Sequence, residues 1–463
     1  MSTQGIRNFR PKIHFTPLKG WTNDPNGLVY YGGKYHLFYQ HYPHDGVWGP
    51  MHWGHAVSSD LIRWEHLPIA LYPDEAGGRS AADGMIFSGS AVADIENVSG
   101  LGAEGPLIAF YTCHGKEEVQ SIAYSLDGVN FTKYEKNPVI PNPGLRDFRD
   151  PKMFWNPIRN CWSMVLAAGD RVHFYASKDL LSWEKTGEFG TREDGNHAFG
   201  VWECPDMVPL EYKGKTVWLL IGSMTMVEGK PIAGTQYFLG DFDGDKFINT
   251  IPFGHVEQLD SGWDNYAGVT YNNLPNTDKP IFIGWGTSWR YADKTPTGEY
   301  CGNMTLPRSL TLEETSEGPR LATFPIGLDK IIRAPSASID SETFLIKVKG
   351  KKAASITLSN NKNQKFVFGV DEENNLFVDR TQAGAKDFSE HFASPACSVR
   401  KAKRFYDGEY TLDFIFDVSV SELFVDKGTR SMSMVCYPDT PYTNILVQGD
   451  AQAQIHEITP PVS

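Results

Sequence analysis

Four short segments of this chain share one pattern, and it restricts the fold more than any other feature. SSDLIRW (Ser58 to Trp64), SLDGVNF (Ser125 to Phe131), SKDLLSW (Ser177 to Trp183) and GDFDGDKF (Gly240 to Phe247) each set an Asp in a turn with an aromatic residue four positions later. Five strand openings interleave with these turns: NDPNGLVY at Asn23, FSGSAVAD at Phe87, RDPKMFW at Arg149, ECPDMVPL at Glu203 and WDNYAGVTY at Trp263. Members of each set recur at roughly 50 to 65 residues, the length of a four-stranded propeller blade with generous loops. The expected fold is therefore all-β, a five-bladed β-propeller. The first strand of each blade lines the central channel, so residues that open the five strands converge on one mouth although far apart in sequence.

Local patterning agrees. Period-2 segments such as KYHLFYQ, LIAFYTC, RVHFYAS and TVWLLIGS dominate, and helical periodicity is scarce. Aromatics make up 13% of the chain, beside 44 Gly and 29 Pro, a composition for many short strands joined by tight turns. After Leu312 the character changes. EETSEGPRLATFP reads as a polar connector, and TFLIKVKG, ASITLSN, QKFVFGVD, YTLDFIFD and SELFVDKG read as strands of a β-sandwich. We expect a propeller over residues 1–325 and a sandwich over 326–463. The sandwich charges are dispersed, and no acidic or His cluster marks a second site there.

The formal charge of −13 argues against nucleic acid or an anionic membrane as partner and favours a small neutral ligand. MSTQGIRNFRPKIHF carries no apolar core of signal-peptide length, and no apolar run is long enough to cross a bilayer, which sets a cytoplasmic expectation. The six cysteines form no CxxC pair and have no close His partner, so they read as reduced packing residues rather than a zinc site or disulfide framework.

WTNDPNGL places Asp24 between Asn23 and Pro25, and Asn26-Gly27 is a hairpin signal, so a tight turn is expected there. Asp150 in Arg-Asp-Pro and Glu203 in Glu-Cys-Pro open equivalent strands, and Asp264 precedes Asn265 and Tyr266 at a fourth. One such acid is ordinary turn chemistry. Several converging on one funnel repel and carry a desolvation cost that a purely structural channel has no reason to keep. Paired carboxylates without metal-ligand spacing suit glycoside cleavage, in which one acid protonates the leaving oxygen and another attacks or stabilises the sugar cation. Asn23, Gln40, Ser88, Arg149 and Asp264 can bind hydroxyls, while Trp48, Trp53, Phe87 and Trp285 offer faces for sugar rings. No Walker loop or GxGxxG occurs.

WTNDPNGL, FSGSA, RDP and ECPD, in this order and spacing, resemble glycoside hydrolase family 32, the invertases, inulinases, levanases and sucrose-6-phosphate hydrolases. VDRTQAG at Val378 and DVSVSELFVDKG at Asp417 extend the resemblance into the C-terminal sandwich. It implies a retaining exo-β-fructosidase with Asp24 as nucleophile, Glu203 as general acid/base and Asp150 as transition-state stabiliser, and no metal or cofactor. It places Asn23, Gln40, Trp48, Phe87, Ser88, Arg149, Asp264 and Trp285 around the fructosyl unit. Short fructooligosaccharides and sucrose are the expected substrates. GWDNYAGVTY departs from the family's Asp-Phe-Tyr-Ala type motif, with Asn265 replacing an aromatic. WRYA and MTLPR resemble the fructan branch, yet Cys301-Gly302 stands where Arg-Gly is often found, which leaves the second sugar open. A sucrose-6-phosphate hydrolase, a fructosyltransferase, an inverting propeller glycosidase and a noncatalytic fructan-binding protein are the alternatives.

Overall fold

The computed structural model describes residues 7–73, 84–102, 105–225, 234–275 and 279–461; the first six residues of the N-terminal stretch lie outside these. The fold is all-β, a five-bladed β-propeller followed by a C-terminal β-sandwich. The chain divides into two compact units, Gly20–Gln258 with Tyr266–Gly284, and Met1–Lys19 with Leu259–Asn265 and Trp285–Ser463.

In the first unit, four meanders of antiparallel strands follow one another. They are β1 (Gly20–Tyr31), β2 (Lys34–Tyr42), β3 (His52–Ser58) and β4 (Glu65–Leu71); β5 (Met85–Ala93), β6 (Leu107–His114), β7 (Val119–Ser125) and β8 (Thr132–Lys133); β9 (Phe148–Asn156), β10 (Cys161–Ala168), β11 (Val172–Ser177) and β12 (Glu184–Phe189); and β13 (Trp202–Tyr212), β14 (Lys215–Met224), β15 (Gly234–Phe242) and β16 (Phe247–Ile251). β17 (Tyr266–Thr270) and β18 (Ile281–Trp285) begin the fifth. β1 packs on β5, β5 on β9, β9 on β13, β13 on β17, and β17 back on β1, so the first strands form a closed ring. Asn272 fastens the closure: its backbone pairs with Leu28 and Tyr30, and its Nδ2 donates to the Ala91 carbonyl at 2.9 Å. Apolar residues fill the wedges between blades, as where Val92, Ile108 and Phe110 meet Phe148, Met153 and Met164. Each large aliphatic or aromatic side chain so buried stabilises by about 1.5–3 kcal/mol.

The four repeated Asp turns link the third and fourth strands of four blades. Asp60, Asp127, Asp179 and Asp243 each accept hydrogen bonds from the backbone N–H groups two and three residues on. The same position in each turn is left-handed: Leu61, Gly128, Leu180 and Gly244. The repeat in the sequence is thus a repeat of turn chemistry.

The stretch expected to turn at Asn23–Gly27 instead runs inside β1, and the reversal falls on Gly32-Gly33. The left-handed residue Gly27, at φ +54, is absorbed by a bulge because Gln40 Nε2 grips Asn26 Oδ1 at 2.7 Å and holds the chain in the sheet.

The second unit contains β19 (Tyr300–Cys301), the hairpin of β20 (Arg308–Thr315) and β21 (Gly318–Pro325), then β22 (Ile332–Ser336), β23 (Thr343–Ser359), β24 (Lys365–Val370), β25 (Asn375–Gln382), β26 (Val399–Lys403), β27 (Tyr410–Asp417), β28 (Val420–Val425), β29 (Arg430–Val435) and β30 (Asn444–Ile458). The first half of β23 pairs with β27 and its second half with β24. This one bent strand therefore belongs to both layers, and Phe368 of β24 stacks on Phe414 of β27 at 4.1 Å in the core. Buried ions tie this unit together: Arg308 reaches Asp260 at 2.9 Å and Glu422 at 3.0 Å, and His14 Nδ1 lies 2.8 Å from Asp417.

Candidate active site

One irregularity recurs at the start of four innermost strands. The ladder slips between Thr22 and Pro25 in β1, Ile86 and Gly89 in β5, Arg149 and Lys152 in β9, and Glu203 and Asp206 in β13. Each slip inserts one extra residue, a β-bulge, which breaks the in-out alternation and delivers neighbouring side chains to one end of the channel. The unpaired residues are Asn23-Asp24, Phe87-Ser88, Asp150-Pro151 and Cys204-Pro205, and Arg149 and Glu203 are the paired residues directly before the third and fourth bulges. Backbone strain accompanies them: Asp150 is at φ +67 and Cys204 at φ +44, left-handed values that cost non-glycine residues on the order of 1 kcal/mol or more. Gly89 permits the second bulge, since a Cβ there would sit 1.9 Å from the Phe110 carbonyl oxygen.

Asp24 is held from three sides. Asn23 Nδ2 donates to Oδ1 at 2.9 Å, while Ser88 Oγ at 2.5 Å and Cys204 Sγ at 3.4 Å donate to Oδ2. Asn23 Oδ1 is itself occupied by the Trp21 indole N–H at 2.7 Å, so Asn23 and Ser88 are both committed to orienting Asp24.

Asp150 is buried. Its Oδ2 accepts the Cys204 backbone N–H at 2.9 Å and lies 3.6 Å from the Cys204 thiol, and its own N–H donates to Thr112 Oγ1 at 2.9 Å. Burial pushes its carboxyl up to about 8, with the charges of Asp24 and Glu203 adding to the rise and Arg149 and the Cys204 N–H opposing it. Glu203, 20% exposed, is also raised by burial and by Asp24, against Arg149 and Tyr266. Arg149 Nη2 donates to its Oε1 at 3.0 Å, and the Tyr266 hydroxyl donates to Oε2.

Arg149 is shared. Its Nη1 reaches Asp147 at 2.7 Å and both oxygens of Glu118 at 3.3 Å, so this guanidinium is held above its ordinary value by four carboxylates with Asp150 and Glu203 included. Three carboxyls, one guanidinium, one phenol and one thiol thus occupy a single end of the channel.

The remaining expected residues fall in different places. Gln40 is buried, and its Nε2 donates to the Ile86 carbonyl at 2.9 Å as well as to Asn26, which spends its donors on joining β1 to β5. Phe87 stacks on His114 at 4.1 Å with rings 11° apart, and Trp48, 44% exposed, meets Phe87 edge-on at 6.2 Å. Trp53 is fully buried, its indole N–H on the Phe87 carbonyl at 3.0 Å. Asp264 and Trp285 belong to the other compact unit. There Asp264 accepts from Tyr291 Oη at 2.7 Å, Arg380 Nη1 at 2.9 Å and the Val435 N–H at 2.8 Å, and the buried Trp285 packs on Trp289 at 4.8 Å. Cys204, read from sequence as packing, lies between two site acids. Tyr266, Glu118, Asp147 and Thr112 were not singled out either; of these only Tyr266, inside WDNYAGVTY, stands in a repeat position that could have drawn attention.

The model for the glycosyl hydrolases family 32 N-terminal domain matches residues 14–325, and that for the glycosyl hydrolases family 32 C-terminal domain matches 313–460. A levanase of Bacillus subtilis is 42% identical over 93% of this chain and 67% of its own length. The crystal structure of an exo-inulinase from Aspergillus awamori superposes with a TM-score of 0.89 at 31% identity, covering 98% of this chain and 99% of that one. A fructofuranosidase from Schwanniomyces occidentalis, in a structure complexed with fructosylnystose, gives 0.84 at 27% identity over 97% of each chain.

Proposed function

The chain belongs to glycoside hydrolase family 32, and from that premise we propose that it is a retaining exo-β-fructosidase that removes terminal nonreducing fructosyl units from fructans, with Asp24, Asp150 and Glu203 doing the chemistry. One observation carries this reading: bulges in β1, β9 and β13 bring the three carboxyls to one end of the ring, with Cys204 touching Asp24 and Asp150 and Arg149 touching Glu203. In the first step an Asp24 oxygen attacks the anomeric carbon as its bond to the leaving oxygen breaks, and Glu203 gives that oxygen its proton. In the second, Glu203, now a carboxylate, takes a proton from water as the water oxygen displaces Asp24, restoring both groups with the β configuration retained. Asp24 is suited to attack because Asn23, Ser88 and Cys204 fix it, and fixed placement of a reacting group is worth several kcal/mol, about 7–11 at the extreme. Asp150, from the β9 bulge, holds ring hydroxyls. Phe87 and Trp48 provide the apolar wall on which the sugar and its leaving partner lie.

Exo action is supported by what fills the ring below the acids. Lys152, two residues beyond Asp150 on β9, is buried with its Nζ 3.3 Å from Asp206 Oδ2 and 3.2 Å from Thr270 Oγ1, and Thr270 N–H donates to the same Asp206 oxygen at 2.5 Å. This cross-channel plug closes the ring below the acids, which favours entry of a chain end over passage of a chain through the channel. We propose short, uncharged fructosides, fructooligosaccharides and sucrose, as the substrates, preferred over high polymers. Timed product analysis on sucrose, kestose, inulobiose, inulin, levan and sucrose 6-phosphate tests the reading. Fructose with sucrose as its shortened partner from kestose, and fructose as the sole early small product from inulin, support it. A disaccharide ladder from inulin, or a much higher kcat/KM for sucrose 6-phosphate than for kestose, overturns it.

A further inference from the structure

Glu118 stands between β6 and β7, is 5% exposed, and has no part in the mechanism above. Its carboxylate nevertheless has four calls upon it. Oε2 accepts the Phe148 N–H at 2.7 Å, Oε1 lies 3.2 Å from His114 Nδ1, and both oxygens receive Arg149 Nη1 at 3.3 Å. Its backbone carbonyl is fixed as well, by Asn142 Nδ2 at 2.9 Å. These contacts join the two walls of the site. His114 is the ring that stacks on Phe87, and Arg149 is the guanidinium whose other arm reaches Glu203.

A buried carboxylate capping the backbone N–H of Phe148 has an ordinary structural use, and Gln would serve it almost as well. The charge is another matter. Glu203 faces Arg149, Tyr266, Asp24 and Asp150 and adjoins the Cys204 thiol; of these only Arg149 is cationic. A guanidinium 3.0 Å away favours the Glu203 carboxylate over the acid needed for the first step. Glu118 and Asp147 take the opposite Nη1 arm, so the cation is shared with anions that are not consumed in the reaction. Burial works against ionisation of Glu118, yet it is held below the usual glutamate value by His114, Arg149 and the Phe148 N–H, in keeping with a permanent carboxylate.

We propose that Glu118 is a positioning residue that holds Arg149 with one arm on Glu203 and, through its negative charge, keeps Glu203 able to retain its proton for the leaving group. The inference rests on the reading of Glu203 as the acid. At a separation of two linked hydrogen bonds and an effective dielectric of about 20–40, loss of one charge moves a neighbouring acid by about half to one and a half pH units.

The experiment is the pH profile of kcat/KM on kestose for the wild type, Glu118→Gln and Glu118→Asp, with melting temperature as a control. Glu118→Gln keeps the shape and an acceptor for Phe148, so it should stay folded, match the wild type within about twofold at the acid end, and show its basic limb displaced to lower pH by about half a unit or more. Glu118→Asp, shorter but charged, should leave the basic limb in place even if kcat falls. A basic limb unmoved in a folded Glu118→Gln enzyme overturns the proposal, and so does an equal displacement in both variants. Should Glu118→Gln not fold, Asp147→Asn removes the other anion from the same Nη1 and must displace the limb in the same direction, or the proposal fails. Glu203→Gln is run beside them: if it retained turnover, the assignment of Glu203 would fall, an outcome distinct from failure of Glu118.

Discussion

Asp150→Asn should destroy activity and at the same time stabilise the protein, by an amount that grows with pH. Asn keeps the outline of the side chain and an oxygen for the Cys204 N–H, but it cannot ionise. In the folded chain burial and the charges of Asp24 and Glu203 lift the Asp150 carboxyl from 3.8 to about 8. Between those values the folded state holds a proton that the unfolded chain has released, so wild-type stability falls by about 1.4 kcal/mol per pH unit from this group alone. The cost is absent below about pH 4, accumulates as pH rises, and levels off above about pH 8. From pH 5 to pH 8 it comes to about 4 kcal/mol, and the variant is spared it. Urea unfolding of both proteins at the two pH values measures the difference, since acids remote from the site contribute equally to both. We expect the stability gap to move in favour of Asp150→Asn by on the order of 2–4 kcal/mol between pH 5 and pH 8, with kcat lowered by several powers of ten. A gap independent of pH, or a variant less stable than wild type at pH 8, would refute the claim that the site keeps its acids against a desolvation cost.

His14 makes the opposite pH prediction in the other compact unit. Burial alone would push its imidazole down, but Asp417 and Glu422 outweigh burial and raise it to about 9. Its stabilisation is therefore full below about pH 6.5 and lost as pH climbs through about 9, roughly 3 kcal/mol that His14→Gln should lack in urea unfolding at pH 6; equal stability of the two proteins there would contradict this. The Cys204 thiol is buried and pushed well above its ordinary value by burial and by Asp150, Asp24 and Glu203. Iodoacetamide at pH 8 should leave Cys204 unlabelled in the native protein, and Cys204→Ala should lower kcat about three- to tenfold by loosening Asp24 and Asp150; peptide mapping that finds alkylated Cys204 with activity intact would count against both statements. Gly89→Ala should abolish soluble expression or lower the melting temperature sharply, because its Cβ meets the Phe110 carbonyl oxygen; a melting temperature within a degree of wild type would show that the bulge has more room than described.

Fold class was legible because it rests on local chemistry repeated along the chain. The four Asp turns hydrogen-bond their own backbone, so their pattern survives in any context. The three acids stand out in the sequence for a related reason, since each lies in or directly before the bulge that opens its blade's first strand. What escaped the sequence depends on register and on long-range approach. Asn26-Gly27 carries a hairpin signal and lies in a strand, because Gln40, 14 residues away, holds Asn26 in the sheet. Cys204 is an apolar-looking residue beside Glu203 until the β13 bulge turns its thiol to Asp24, 180 residues distant. Asp264 reads in the sequence as an acid at a strand opening, but its pairing with Arg380 could not be read, because the arginine arrives 116 residues later. Glu118 has no motif, and its meaning comes only from the fork of Arg149.

The account turns on a covalent fructosyl bond to Asp24 that is broken by whatever acceptor reaches it. Methanolysis tests this directly. With kestose and dilute methanol, the anomeric configuration of the methyl fructoside formed first is read by NMR before it can be hydrolysed. The account predicts methyl β-fructofuranoside from the wild type and neither glycoside nor fructose from a folded Asp24→Asn variant. The α-anomer from the wild type, or continued formation of the β-anomer by Asp24→Asn, would contradict it.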